Sequence, residues 1–266
     1  MSEIGLIIND LHVGSHWAIM PRTCVEVLGD EEIEHQPEKL QLELSDLWDD
    51  MKEEVGRIDF VIANGDLCEG PNYKEYGYGN WTTSLLTQVD AAAELLIGLK
   101  AKKYAVTQGS MYHTGSQITL DQQVAKAIDA RTNAEVQYGP DIEVNIKDQY
   151  KIHACHRVGI SQVFHYRTTP LARELLSARV NEEEYGKFDG IVRAHAHYYC
   201  YVEFGKSWGA IVPGWKMRDD FLRLRGLGYL PKLGWMMVEI DGGDLIDRKT
   251  CVVTPSKKGL VQEFKV

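Results

Sequence analysis

Aspartate and histidine recur in this sequence at the ends of apolar runs. Asp10-Leu11-His12 follows Ile4-Gly5-Leu6-Ile7-Ile8, and Gly65-Asp66 follows Phe60-Val61-Ile62-Ala63. His113 comes shortly after Tyr104-Ala105-Val106, His156 after Tyr150-Lys151-Ile152, and His195-Ala196-His197 after Ile191-Val192-Arg193. Buried strands ending in carboxylate and imidazole suit a metal site on the rim of a sheet, because the core behind each strand holds its ligand rigid. On an extended segment residues i and i+2 point the same way, so Asp10 with His12, and His195 with His197, can each clamp one ion. Asp66 leaves its strand at an Asn64-Gly65-Asp66 turn and offers two oxygens. A carboxylate can bridge two metal ions ~3.5–4 Å apart, and such pairs stabilise both the attacking and the leaving oxygen in phosphoryl transfer. Mixed Asp and His donors suit Mn, Fe, Zn, Co or Ni better than Ca or Mg; Mn is the first expectation among them.

The elements that must carry these groups alternate over the first two-thirds of the chain. A long polar stretch runs from Asp10-Leu11-His12 to about Gln36. Pro37 then opens a helical pattern with Leu40, Leu44, Leu47, Met51 and Val55 on one face. The acids between Glu26 and Glu54 read mainly as a solvated face. A strand over 58–63 follows, then a Gly- and Tyr-rich loop over 70–81, a helix over 84–99, a strand over 103–107 and a helix over 120–130. This rhythm predicts a largely parallel sheet covered by helices, with its functional loops at the carboxyl ends of the strands. From Glu143 onward short alternating runs appear at 144–146, 150–154, 198–204, 210–212, 235–240 and 250–253, interrupted by a helix over 170–180. These predict a second, mixed or antiparallel sheet packed on the first.

Composition narrows the function classes. The 266 residues suffice for one large domain spanning 1–266, and no repeat, low-complexity segment or linker divides them. Acids outnumber bases by 39 to 29, a net charge of -10, which argues against a protein that coats DNA with a wide basic face. Bound cations could still supply positive charge locally for an anionic substrate. Five scattered cysteines (Cys24, Cys68, Cys155, Cys200, Cys251) without a C-x-x-C fit free thiols in a reducing compartment. A strand starting almost at the first residue leaves no room for a signal peptide, and no apolar run approaches a membrane span. A cytoplasmic protein with no membrane partner is the expectation; oligomeric state is open.

The ordered blocks resemble the calcineurin-like metallophosphoesterases. That family carries D-x-H, G-D, G-N-H-D/E, a lone strand-end His and G-H-x-H. Here the matching residues are Asp10-Leu11-His12, Gly65-Asp66, Gly109-Ser110-Met111-Tyr112-His113, His156 and Ala194-His195-Ala196-His197. The match covers roughly residues 4–199. The resemblance implies an α/β fold in which a double β-sandwich is flanked by helices (α/β/β/α). It also implies a dinuclear centre that hydrolyses a phosphate mono- or diester. Carried over by position, Asp10, His12, Asp66 and His197 would take one metal. Asp66, His156 and His195 would take the other. His113 would be catalytic, protonating the leaving oxygen or steadying the transition state. One departure stands out: Ser110 occupies the place of the family's Asn ligand, and two residues intervene before His113. A serine hydroxyl is a poor ligand for these metals, so the second ion is expected to bind more weakly. G-[ST]-x-x-H-x-G, ending at Gly115, together with Arg167-Thr168-Thr169-Pro170, looks like a divergent, bacteriophage-type branch.

Other residues carry less specific signals. His153 competes with His156, but the two are odd-spaced and face opposite sides of a strand, and His156 is nearer the loop. His16, His35 and His165 read as surface or supporting residues. Glu69 lies close enough to Asp66 to accept a hydrogen bond from a ligand histidine, or else to start a helix. Tyr73, Tyr76, Tyr78 and Trp81 could stack a nucleobase, though ordinary loop packing is the commoner use of such residues. Lys216, Arg218, Arg223 and Arg225 form a locally basic stretch that could meet substrate phosphates or be a solvated hairpin. The leading function is a metal-dependent phosphodiesterase or nuclease acting on nucleotides or nucleic acid. A phosphomonoesterase or protein phosphatase is the alternative within the same chemistry. A metal-binding scaffold without turnover is the alternative outside it.

Overall fold

A computed structural model describes residues 1–73, 76–114, 119–161, 163–217 and 231–253. The chain opens with β1 (Glu3–Ile8), β2 (Cys24–Leu28), β3 (Glu31–His35), α1 (Lys39–Val55), β4 (Phe60–Ala63) and α2 (Leu85–Ile97). It continues through β5 (Lys103–Thr107), α3 (Met111–Thr114), α4 (Leu120–Arg131), β6 (Glu135–Gly139), β7 (Asp141–Ile146) and β8 (Tyr150–Cys155). Then come α5 (Thr169–Val180), α6 (Glu182–Tyr185), β9 (Gly190–Arg193), β10 (Cys200–Phe204), β11 (Ser207–Ile211), β12 (Leu233–Asp241) and β13 (Asp244–Val253).

Two sheets share the inner core. The first has the order β13-β12-β1-β4-β5-β6 and the second β10-β11-β9-β8-β7. In the first, β1, β4, β5 and β6 run parallel, which is why β4 can be apolar at every position: parallel strands are covered on both faces. Ile7, Ile62, Ile152, Val192, Val212 and Met236 fill the space between the sheets. Leu6, Val61, Leu44, Trp48, Leu96 and Val124 form a second core beneath α1, α2 and α4. On the far side Leu171 of α5 packs against Ile211 and Cys200. The layers are therefore helix, sheet, sheet, helix. Gly5 interrupts the apolar run of β1 for a steric reason: a Cβ there would lie 2.1 Å from the Phe60 ring.

Several boundaries and one sheet assignment differ from the sequence expectation. The first helix starts two residues after Pro37, at a capping box in which the Glu38 N–H donates to Gln41 Oε1 (2.9 Å). The polar stretch before Gln36 contains the β2–β3 hairpin, whose exposed alternating face gave no apolar periodicity to read. The strands at 235–240 and 250–253 belong to the first sheet, not the second: β12 pairs antiparallel with β1, and β13 with β12. Sequence periodicity finds a strand but carries no information about which edge it joins. Among the described residues no helix is long and apolar enough to cross a membrane, and all five cysteines are free.

Candidate metal centre

All five blocks lie at the carboxyl ends of strands, where parallel strands from both sheets present their loops on one rim. Asp10 and His12 follow β1, Asp66 follows β4, His113 sits in α3 after β5, His156 follows β8, and His195 and His197 follow β9. The loops are fastened to each other by backbone bonds. Asp10 N–H donates to Gly65 O, His12 N–H to Asp66 O, and Ala194 N–H to His156 O, each at 3.0 Å. Trp215 N–H donates to Asp10 O (2.9 Å) and closes the far side.

The backbone itself is unusual at these positions. Asp10, His12, Asp66, His195 and His197 all have positive φ, between 48° and 66°. The extended i, i+2 geometry expected for Asp10-Leu11-His12 and His195-Ala196-His197 is therefore wrong; each pair sits on a left-handed turn. The turns still bring the side chains together, and left-handed non-glycine residues of this kind concentrate at functional sites.

Asp10 shows how an atom is set aside for a cation. Its Oδ2 accepts from Asn9 Nδ2 (2.6 Å) and from the His195 backbone N–H (3.1 Å). Its Oδ1 is buried and accepts no hydrogen bond. Around that oxygen stand three imidazole nitrogens, His197 Nε2 at 3.3 Å, His12 Nε2 at 3.7 Å and His156 Nε2 at 4.0 Å. Asp66 is held from behind by Ser110, whose N–H donates to Oδ1 (2.6 Å) and whose hydroxyl lies 3.1 and 3.0 Å from the two carboxylate oxygens. Its Oδ2 faces His156 Nε2 at 3.0 Å and His195 Nδ1 at 4.0 Å. Gly109 makes this contact possible, since a Cβ there would meet Asp66 Oδ1 at 2.2 Å.

The imidazoles are oriented by their other nitrogen. His156 Nδ1 donates to Asn64 O and His113 Nδ1 to Glu69 O, both at 2.7 Å, which leaves each Nε2 for the cluster. The Nε2 of His156 is buried and has no hydrogen bond. His12 Nδ1 meets Glu69 Oε2 at 2.9 Å, so its Nε2 turns inward and stands 3.3 Å from that of His197. Carboxylate or carbonyl support behind a histidine is the usual arrangement in metal sites. Donor atoms fall into three mutually close groups, each within 4.8 Å: Asp10, His12 and His197; Asp66, His156 and His195; and His12, Asp66 and His113. The donor set, in which the buried Asp10 Oδ1 accepts no hydrogen bond and the imidazole nitrogens converge on the two carboxylates, fits a divalent metal ion.

Electrostatics agrees with a site built for positive charge. Burial opposes ionisation of Asp10, but His197, His12 and His156 hold its carboxyl well below the usual range. Burial likewise opposes ionisation of Asp66, and His156, His113 and His195 outweigh it. Burial disfavours a charged His12 or His156, yet Asp10 and Glu69 push His12 up to about 9, and Asp66 and Asp10 push His156 up to about 10. His113 goes the other way, lowered by burial and by His12.

Two supporting residues, Asn9 and Asp121, escaped the sequence reading, and a third, Lys216, has a role other than the one expected. Asn9 pins Asp10. Asp121, buried in the first turn of α4, accepts from the Leu67 and Gly109 N–H groups (3.0 and 2.7 Å) and so ties together the loops that carry Asp66 and Ser110. Lys216 was expected on a phosphate or in solvent. It is buried instead, with Nζ 2.9 and 3.0 Å from the two oxygens of Glu69. Arg218, Arg223, Arg225 and Gly115 lie outside the described residues. His153 points away from the cluster, toward Arg193 (3.1 Å) and the Phe188 ring. His16 and His35 pair with Glu38 and Glu26, and His165 is exposed. Spacing alone does not reveal the contacts of Asp121 and Lys216, because each is a single residue of common type that meets its partners from a different segment.

No protein-family model matches the sequence, and no curated protein matches it. Solved structures do match the fold. An archaeal phosphodiesterase superposes with a TM-score of 0.50 at 13% identity, over 94% of this chain and 99% of that one. Vacuolar protein sorting 29 from Cryptosporidium parvum aligns at TM-score 0.47 and 14% identity, over 96% of this chain and 99% of that one. Zinc-bound Vps29 from Entamoeba histolytica aligns at 0.44 and 17% identity, over 94% and 98%. With two face-packed sheets, flanking helices and a shared rim of Asp and His, the chain has the fold of the calcineurin-like metallophosphoesterases.

Proposed function

We propose that this protein is a metal-dependent phosphoester hydrolase that uses two divalent transition-metal ions, Mn first among Mn, Fe, Zn, Co and Ni, and acts on phosphodiester bonds of nucleotides or nucleic acid. One observation carries the reading: two buried carboxylates, Asp10 and Asp66, stand among His12, His156, His195 and His197 with oxygen and nitrogen atoms converging between two sheets. Asp10, His12, Asp66 and His197 would hold one ion, and Asp66, His156 and His195 the other. Bound there, the ions would polarise the phosphoryl oxygens and lower the pKa of water to supply a nucleophile. His113 serves as the proton carrier at the leaving oxygen. Its Nδ1 is committed to Glu69 O, so Nε2 holds the proton to be delivered. Burial and His12 lower the basicity of the ring in the free site, and an anionic phosphoester beside it acts in the opposite direction.

The test is hydrolysis of bis-p-nitrophenyl phosphate and p-nitrophenyl phosphate by protein loaded with Mn and by protein treated with chelator. Diester turnover lost on chelation is the expected result. Monoester turnover alone would move the protein to the alternative, and bound metal with neither activity would make it a scaffold.

Two further results are expected of the centre. Ser110 spends its hydroxyl on Asp66 and brings no amide oxygen as the family's Asn would. Calorimetric titration with Mn should therefore resolve two affinities, with activity following the weaker. Equal, simultaneous filling of both sites would refute the inequality. Lys216 secures Glu69, which in turn orients His12. Lys216→Met should weaken metal binding about 10–100-fold, the usual cost of losing a group behind a ligand. Unchanged affinity in the folded variant would show that the pair only packs.

A further inference from the structure

The centre lies between two loops that carry most of the exposed aromatic side chains among the described residues. One loop follows Asp66 and the other follows His156. In the first, Tyr73, Tyr76 and Tyr78 are exposed, the last two at 88%. The root of this loop is fixed to the site. A Cβ on Gly70 would meet His113 O at 2.2 Å, Tyr112 of α3 stacks edge-on to His113, and Tyr112 Oη lies 3.4 Å from Asn72 Oδ1. The loop also leans on the turn after His12, through His16 N–H to Gly79 O (3.0 Å) and Trp81 N–H to Gly14 O (2.8 Å).

In the second loop Phe164 and Tyr166 are exposed. This loop is fixed to the opposite histidines. Val158 packs with Ala196 and Tyr198, the Tyr198 hydroxyl donates to Arg167 O (3.2 Å), and the Arg167 guanidinium lies 5.2 Å from both the Phe164 and the Tyr198 rings. The base of one aromatic loop, the first wall, thus borders His113 and the turn after His12, and the base of the other, the second wall, borders the His195-Ala196-His197 turn.

The charge pattern differs from that of the rest of the chain. With 39 acids in 266 residues, no acid occurs between Asp148 and Glu174, where Arg157, Arg167 and Arg173 fall, and only Glu75 occurs between Gly70 and Asp90. Acids are absent from the second loop and rare in the first. Exposed rings on acid-poor loops, on both sides of a phosphoester site, suit a polyanion whose units carry flat faces. The net charge of -10 excludes wide backbone wrapping, but stacking needs only the walls.

Resting on the reading of the site as a phosphodiesterase, we infer that it takes single-stranded nucleic acid with nucleotides on both sides of the scissile phosphate, their bases stacked on Tyr73, Tyr76 and Tyr78 on one side and on Phe164 and Tyr166 on the other. A duplex hides its base faces within its own stack. A mononucleotide reaches one wall at most.

The test separates binding from chemistry. Fluorescence anisotropy of a labelled eight-nucleotide oligo-dT, its duplex with oligo-dA, and labelled dTMP is measured with full-length protein in excess chelator. The single strand should bind at least about tenfold more tightly than the duplex or dTMP. Tyr73→Ala/Tyr76→Ala/Tyr78→Ala and Phe164→Ala/Tyr166→Ala should each weaken single-strand binding by about tenfold or more, the scale of lost base–aromatic stacking. Phe204→Ala, an exposed ring at the far end of β10, should leave it unchanged, and circular dichroism checks that every variant is folded. Equal binding of duplex and single strand, or loss from one wall only, would overturn the two-sided stack. So would equal effects of Phe204→Ala and the wall variants, or no oligonucleotide binding at all. Metal-dependent diester hydrolysis without oligonucleotide binding would sink this inference alone. Wall-dependent binding without hydrolysis would sink the enzymatic reading alone.

Discussion

Asp66→Asn should empty the centre of metal and of turnover together. Asp66 Oδ2 stands beside both His156 and His195, and its other oxygen is anchored by the Ser110 N–H. The amide keeps one acceptor but removes the charge that two cations would share. The loss in metal affinity should exceed the about 10–100-fold typical of a group that merely supports a ligand. Diester hydrolysis should fall in parallel. The measurement is metal content after gel filtration, set against rate on the same sample. A variant with full metal occupancy and full activity would show that the bridging role belongs elsewhere. The fold should survive, since the buried position loses an ionised group and not volume.

His113→Ala should separate what Asp66→Asn joins. If the imidazole delivers a proton to the leaving oxygen, its loss costs about 10²–10⁴-fold in rate, while metal content stays near that of the parent. The deficit should shrink on bis-p-nitrophenyl phosphate relative to esters of poorer leaving groups, because a stable anion departs without protonation. His113 also lies within a donor group with His12 and Asp66, so the opposite outcome has a clear meaning: metal lost along with rate would make this side chain a ligand.

How far the sequence carried these conclusions depended on the kind of residue. Strand ends such as Ile8, Ala63 and Arg193 were legible because parallel strands must be apolar on both faces, and the chemical residues follow them directly. Leu44 and Met51 marked α1 through helical spacing. The β2–β3 hairpin was not legible, because Glu31, Glu32 and Glu34 alternate with little that is buried. Nor was the pairing of β12 with β1, which is a contact between the two ends of the described chain. Within the centre, Asp10, His12, Asp66, His113, His156, His195 and His197 could be found by type and order. What oriented them could not: Asn64 and Glu69 act on His156 and His113 through backbone oxygens, which every residue has. Asp121 and Lys216 reach the site from 55 and 147 positions away from Asp66 and Glu69 respectively, as single residues of common type. The left-handed backbone of the two x-spaced pairs was missed because D-x-H and H-x-H, beside strands, invite an extended reading.

That left-handed backbone has a meaning for how the protein persists through time. Each of Asp10, His12, Asp66, His195 and His197 holds a conformation that costs a non-glycine residue of order 1–3 kcal/mol. Five of the ten non-glycine residues with positive φ among the described residues thus sit where the chemistry resides, against the general tendency of local preference and global structure to agree. Glycine or asparagine would sit there more comfortably. Drift under selection for folding alone would erode these five positions and leave a sturdier molecule with nothing to hold a cation. Conversely, a lineage that keeps all five side chains against that slope is one in which the site is still being used.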